Sequence, residues 1–161
     1  MNSSQPIELR EITQGNFREC IALSVADDQR DFVASNLYSL AEAKADGVSI
    51  PLAIYAGEVM VGFTMYRLDA ERGTGHVDRL MVAKEHQHHG YGRAAMLGVI
   101  NRLRNTPGCV QVVTSFVPTN TVADALYDSL GFRRTGEVHY GETVVALEFS
   151  EKVTGDTAGV V

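Results

Sequence analysis

The run Leu80-Met81-Val82-Ala83-Lys84-Glu85-His86-Gln87-His88-His89-Gly90-Tyr91-Gly92-Arg93-Ala94 decides the fold. Its first three residues close a β-prone segment that begins at His76. Its last residues open a helical pattern over Arg93–Arg104, where Leu97, Ile100 and Leu103 form an apolar stripe extended by Met96 and Val99. Between the two lies a polar loop that carries Gly90 and Gly92. A helix N-terminus presents unpaired backbone N–H groups and about half a positive charge. Glycines there let the main chain approach an anion closely, so the loop reads as a pyrophosphate cradle. Its spacing is neither the Gly-x-Gly-x-x-Gly of a dinucleotide fold nor the Gly-Lys-Ser/Thr of a nucleoside-triphosphate loop. Taken alone, two glycines in a loop also fit a plain tight turn.

Downstream, Pro107-Gly108 stops the helix and Val110–Val117 is strongly β-prone. The strand–helix–strand unit from His76 to Val117 is therefore expected to be a right-handed parallel crossover. Upstream, Ile7–Ile12 suits a strand, and Asn16 is placed to cap a helix carrying Phe17, Cys20, Ile21 and Leu23. After a polar break, Asp27–Asp31, a second short helix through Leu37, Leu40, Ala41 and Ala43 ends near Gly47. Pro51–Ala56 and Val59–Leu68 form a hairpin about Gly57, followed by a polar loop over Asp69–Gly75. Asn120–Leu130 is a helix closed by Gly131, and Val138–Tyr140 with Thr143–Phe149 makes a final hairpin about Gly141-Glu142. The order predicts an α/β (α+β) architecture: one mixed central sheet with helices on both faces.

Composition narrows the function. The chain has 161 residues, is 45% hydrophobic and carries a net charge of -6. Its length suits one domain, expected over residues 1–150, with an aperiodic and mobile tail at 151–161. The apolar fraction excludes a disordered chain, and two cysteines, Cys20 and Cys109, exclude a disulfide scaffold. Both read as small core residues. The acidic balance argues against nucleic acid as a partner and suits a cationic substrate. No stretch reaches the roughly 18 apolar residues of a membrane helix, and Met1–Arg10 has no signal core. A cytoplasmic protein with reduced thiols and no membrane partner is expected.

The stretch resembles the acyl-CoA loop of the GCN5-related N-acetyltransferase (GNAT) superfamily, with its signature Gln/Arg-x-x-Gly-x-Gly/Ala. Gln87, Gly90 and Gly92 match position for position, and Asp78–Val82 looks like that family's fourth strand. A separate match lies downstream: Asn120, Ala123, Leu126, Tyr127, Leu130, Gly131 and Phe132 resemble Asn-x-x-Ala-x-x-Leu-Tyr-x-x-x-Gly-Phe. The element order agrees from Ile7 to Phe149. Within the superfamily, Val25, Gln29, Phe32-Val33, Ser35, Leu40, Ala43, Val61-Gly62-Phe63, Met65-Tyr66 and Asp78-Arg79 resemble bacterial polyamine acetyltransferases.

The resemblance implies a mostly antiparallel sheet of seven strands with a splayed parallel pair, Val82 diverging from Val110. It implies acetyl-CoA as co-substrate, with no metal. The donor would pair with backbone of Leu80, Met81 and Val82. Its pyrophosphate would rest on Gln87, His88, His89, Gly90, Tyr91, Gly92 and Arg93, and Asn120 would bond the pantetheine arm. Tyr127 by spacing alone is a helix tyrosine packing its ring; within the matched motif it becomes the proton donor to the departing thiolate. Asp78 is the candidate to receive the amine or relay its proton, ahead of His76, and both are expected on the strand face of Leu80 and Val82. A simple ion pair between Asp78 and Arg79 stays open, and the family's glutamate base is not cleanly matched. Asp28, with Asp27, Asp31 and Glu42, would hold a further ammonium, although a solvated acidic loop explains them too. His86, His88 and His89 lack partners at metal-ligand spacing. The expected reaction moves an acetyl group from acetyl-CoA to a primary amine, with polyamine the leading acceptor. A protein N-terminus, an amino acid or an aminoglycoside is the alternative acceptor, and a non-catalytic acetyl-CoA-binding module the alternative class. Many relatives dimerise, which makes a homodimer through the C-terminal hairpin compatible with the sequence.

Overall fold

The computed structural model describes residues 5–150; the expectation for the 151–161 tail lies outside them. Seven strands form one sheet: β1 (Ile7–Glu11), β2 (Ile50–Ala56), β3 (Val59–Asp69), β4 (Thr74–Val82), β5 (Gln111–Phe116), β6 (Arg133–His139) and β7 (Glu142–Glu148). Their order is β1-β2-β3-β4-β5-β7-β6. Every neighbouring pair is antiparallel except β4–β5, which is parallel. The helices are α1 (Phe17–Ala22), α2 (Asn36–Asp46), α3 (Tyr91–Arg104) and α4 (Thr121–Ser129). The mixed sheet, its parallel pair and the helix order agree with the sequence.

Two apolar layers sandwich the sheet. On one face Met96, Val99, Ile100 and Leu103 of α3 and Tyr127 of α4 pack with Leu52, Tyr66, Val77 and Val112. A Cβ on Gly75 would stand 2.5 Å from Leu103 Cδ1, so glycine lets α3 seat against β4. On the other face Cys20 of α1 and Ala43 of α2 pack with Ala53, Phe63, Met65 and Met81. Both cysteines are buried and unpaired, and burial pushes the Cys20 thiol up to about 11.

Local signals were met unevenly. Asn16 does not cap α1 with its side chain; its Oδ1 accepts from Thr13 N at 2.7 Å and its amide donates to the Glu11 carbonyl at 3.0 Å, closing the strand–helix turn instead. Ser35 caps α2, accepting from Tyr38 N at 3.1 Å. β4 starts at Thr74, two residues before the segment its apolar pattern suggests. β6 runs from Arg133, well before Val138. All of β6 is exposed at the sheet edge, so no alternation of apolar residues marks it.

One irregularity matters for function. Met65 lies opposite Arg79 while Tyr66 lies opposite Val77, so Asp78 is the extra residue of a β-bulge. The bulge shifts the side-chain phase of β4. The expectation that His76 and Asp78 share the face of Leu80 is thereby corrected. Val77 joins Leu80 in the layer beneath α3, whereas His76 lies opposite Arg67 and Asp78 pairs with it.

Candidate active site

The parallel pairing of β4 with β5 stops at Val77 and Thr114, where Thr114 Oγ1 donates to the Val77 carbonyl at 2.9 Å. Beyond that point Asp78–Val82 has no partner on β5, because β5 continues through Ser115 and Phe116 in register with β7. The strands part into a notch that opens a cleft of about 430 Å³. Its walls come from 25–34, the free half of β4, the loop before α3, the end of β5, α4, and Glu142.

The donor side is shaped by backbone. His88 (φ 67°) and Gly90 (φ 79°) both adopt the left-handed conformation, and α3 begins at Tyr91. Alternating conformations of this kind turn successive N–H groups toward one side and form an anion-binding concavity. The first turn of α3 contains no acidic residue to oppose an anion. A Cβ on Gly92 would meet only Val82 Cγ2, at 3.7 Å. These features fit a pyrophosphate. His88 and His89 are exposed, and the His89 ring stacks on Tyr91 at 5.6 Å. Arg93 reaches across to α4, donating to Ser129 Oγ at 2.6 Å. Among the described residues, no three His, Cys, Asp or Glu side chains gather at metal-binding distance.

The side chain of Gln87 faces away from an anion role. Its Nε2 donates to Gln29 Oε1 at 2.7 Å and to the Val82 carbonyl at 3.1 Å, while Gln29 returns a bond of 3.2 Å to Gln87 Oε1. Gln29 Oε1 also accepts from Ala26 N at 3.0 Å. This reciprocal amide pair fastens the loop before α3 to the wall that precedes α2. Asn120 caps α4, accepting from Ala123 N at 3.2 Å, and lines the cleft.

Tyr127 stands where the strands part. It is 6% exposed, its ring set between Phe116 and Phe132 at centroid distances of 5.9 and 5.5 Å. Burial pushes its phenol above the ordinary range; the neighbouring Thr114 hydroxyl opposes this, and the Glu142 charge adds to it. The group therefore stays protonated at neutral pH.

Asp78 pairs with Arg67 at 3.0 Å. Burial nevertheless raises its carboxyl above the usual range, against the opposing charges of Arg67, His76 and Arg79. His76 is held below its ordinary value by burial and then by Arg67. Arg79 does not pair with the Asp78 carboxylate. It binds Glu42 at 2.6 Å, Ser39 Oγ at 3.1 Å and the Asp78 carbonyl at 2.9 Å.

The acidic loop takes no part in the cleft. Asp28 and Asp31 are exposed, Asp27 pairs with Arg30 at 3.0 Å, and the cleft wall is formed by their neighbours Gln29, Phe32 and Val33. Conversely, Glu142 was read only as part of a hairpin turn, yet it lines the cleft and accepts from Ser115 Oγ at 2.8 Å. No local pattern marks it; only the pairing of β7 with β5 brings it there.

A splayed parallel strand pair, a donor loop at a helix N-terminus and a buried tyrosine at the notch define a GNAT-type acyltransferase. The profile of the Acetyltransferase (GNAT) family matches residues 8–132, and the chain belongs to that family. It is an N-acetyltransferase whose co-substrate is acetyl-CoA. It is similar to a spermine/spermidine N(1)-acetyltransferase of Bacillus subtilis (strain 168), 28% identical over 149 residues, covering 88% of this chain and 98% of the relative. Among solved structures it is similar to spermidine N-acetyltransferase from Vibrio cholerae in complex with CoA and spermine. That match has a TM-score of 0.70 and 15% identity over 88% of this chain and 93% of the other. An aminoglycoside acetyltransferase in complex with coenzyme A matches with a TM-score of 0.73 and 16% identity over 88% and 94% of the two chains.

Proposed function

We propose that the protein acetylates a primary amine of a polyamine by direct transfer from acetyl-CoA in a ternary complex. The observation that carries this reading is the notch between β4 and β5, with the protonated Tyr127 phenol at its apex. Acetyl-CoA lies along the free edge of β4, its pantetheine arm bonded by main-chain groups of Leu80, Met81 and Val82 and by Asn120. Its pyrophosphate rests on the N–H groups from Gln87 through Arg93. The neutral amine nitrogen attacks the thioester carbonyl carbon, a backbone N–H near Leu80–Val82 stabilises the oxyanion, and the C–S bond breaks. Tyr127 donates its proton to the departing thiolate and is restored by the proton that the new amide nitrogen sheds. Asp78, made more basic by burial, takes the proton that the ammonium must lose before attack.

The polyamine assignment draws on the relatives' acceptors and on a cleft lined by the carboxylates of Asp78 and Glu142. The reaction is assigned to the cytoplasm, where the acetyl-CoA pool serves such enzymes. Self-association by way of the exposed β6 edge is part of the same reading. Thiol release with acetyl-CoA across spermidine, spermine, an aminoglycoside, an amino acid and a peptide N-terminus tests the proposal. The polyamines are expected to give the highest kcat/KM. Preference for another acceptor would replace the polyamine assignment, and stabilisation by CoA without turnover of any amine would overturn catalysis.

A further inference from the structure

We propose that Glu142 selects the acceptor by pairing with the second, non-reacting ammonium of a polyamine. The inference rests on the polyamine reading above and adds a residue to it. Two acidic side chains line the cleft, Asp78 and Glu142. They differ in how their charge is met. Asp78 has a guanidinium at 3.0 Å, from Arg67. Glu142 has no cationic partner among the described residues and receives a single hydrogen bond, 2.8 Å from Ser115 Oγ.

The placement is as telling as the charge. Val77 and Thr114 are the last paired residues of the notch. Asp78 is the next residue on one strand, and Ser115, which holds Glu142, is the next on the other. Asp78 and Glu142 thus stand on either side of the apex, and Tyr127 lines the same cleft. An acceptor whose reacting nitrogen sits by Asp78 and Tyr127 has its next nitrogen one short alkyl chain away, on the side of Glu142. A half-buried carboxylate with a fixed hydroxyl partner and no cation is matched by an ammonium. A monoamine has nothing to offer it. The β5–β7 register fixes this geometry, since Ser115 lies opposite Val144 and Phe116 opposite Thr143, next to Glu142.

The test compares wild type with Glu142→Gln, which keeps an oxygen to accept from Ser115. Two amines, spermidine and n-butylamine, are read by steady-state turnover and by calorimetric binding in the presence of CoA. The variant is expected to raise the spermidine KM and Kd by about tenfold or more. Calorimetric binding of n-butylamine and the acetyl-CoA KM stay within about twofold, and any change in kcat passed on through Tyr127 falls on both amines alike. Ser115→Ala, which frees the carboxylate, should raise the spermidine KM in the same sense by less. Unchanged spermidine binding in Glu142→Gln, or equal losses of binding for both amines, would overturn the assignment. Spermidine binding that depends on Glu142 in a protein that acetylates no amine would instead overturn the transferase reading and leave the Glu142 contact standing.

Discussion

Tyr127 shows how one residue is given a single protonation state. The aromatic side chains of Phe116 and Phe132 pack against its ring, and burial holds its phenol protonated. A phenol held above its ordinary range is a proton donor throughout neutral pH and a poor base. Tyr127→Phe removes the proton and leaves the ring packing, while Thr114 keeps its bond to the Val77 carbonyl. The expected loss in kcat is about a hundredfold or more, with the acetyl-CoA KM within about twofold. A kcat near that of wild type would remove Tyr127 from the chemistry. His76 gives a test at the same scale through stability. Its folded pKa lies below the ordinary 6.5 because burial and Arg67 disfavour the charged ring. The unfolded chain thus binds the proton more readily, and the stability present above about 6.5 is lost as pH falls toward the depressed value. Asp78, raised by burial, works in the opposite sense, its contribution being lost as pH rises through its elevated value. Chemical denaturation from pH 7 down to pH 5 should therefore show a smaller loss of stability in His76→Gln than in wild type. Parallel pH profiles would contradict the buried, neutral His76. At this scale Tyr127 and Asn120 were legible only within the motif that their segment resembles, and the loop glycines by their place before a helix start. Glu142 was not legible as a cleft residue, nor was the pairing of Gln29 with Gln87, because Ser115 and Gln87 come from distant segments.

Among the elements, β4 and the loop behind it do most to shape the site. The bulge at Asp78 changes which side chains face α3, and the period-two rule applied to His76 failed for that reason. The bulge leaves no mark in the apolar alternation because Val77 is the one apolar side chain between Thr74 and Arg79. The edge strand β6 was read only from Val138, and its stretch from Arg133 was missed for the complementary reason, having no buried face to pattern. The loop before α3 was legible because its demand is conformational. Gly90 has φ 79°, and a Cβ there would touch no protein atom within 4 Å, so the constraint on it is the backbone angle. Gly90→Ala should cost about 1 kcal/mol of stability, since a left-handed angle penalises a side chain. The same substitution should raise the acetyl-CoA KM several-fold by disturbing the turned N–H groups, with spermidine KM little changed. Steady-state kinetics and urea denaturation of the variant check both; an unaltered acetyl-CoA KM would separate Gly90 from donor binding.

For the whole molecule, the central fact is a sheet that stays continuous while one internal pair opens. Antiparallel pairing to β3 and to β7 holds β4 and β5 in place after they lose each other. The two apolar layers, one under α3 and one under α1 and α2, brace the gap from both faces. The element order alone was enough to read a mixed sheet with one parallel crossover. The depth of the notch, ending at Val77 and Thr114, was not written in any local pattern, because it depends on where two distant strands stop pairing. The account requires acetyl-CoA to complete that gap as a further strand would. Hydrogen exchange of backbone amides with and without CoA tests this most directly. Slowed exchange at the notch-facing amides of Leu80–Val82 and across Gln87–Arg93, with β6 unaffected, is the predicted result; unaltered exchange in both segments at saturating CoA would contradict it.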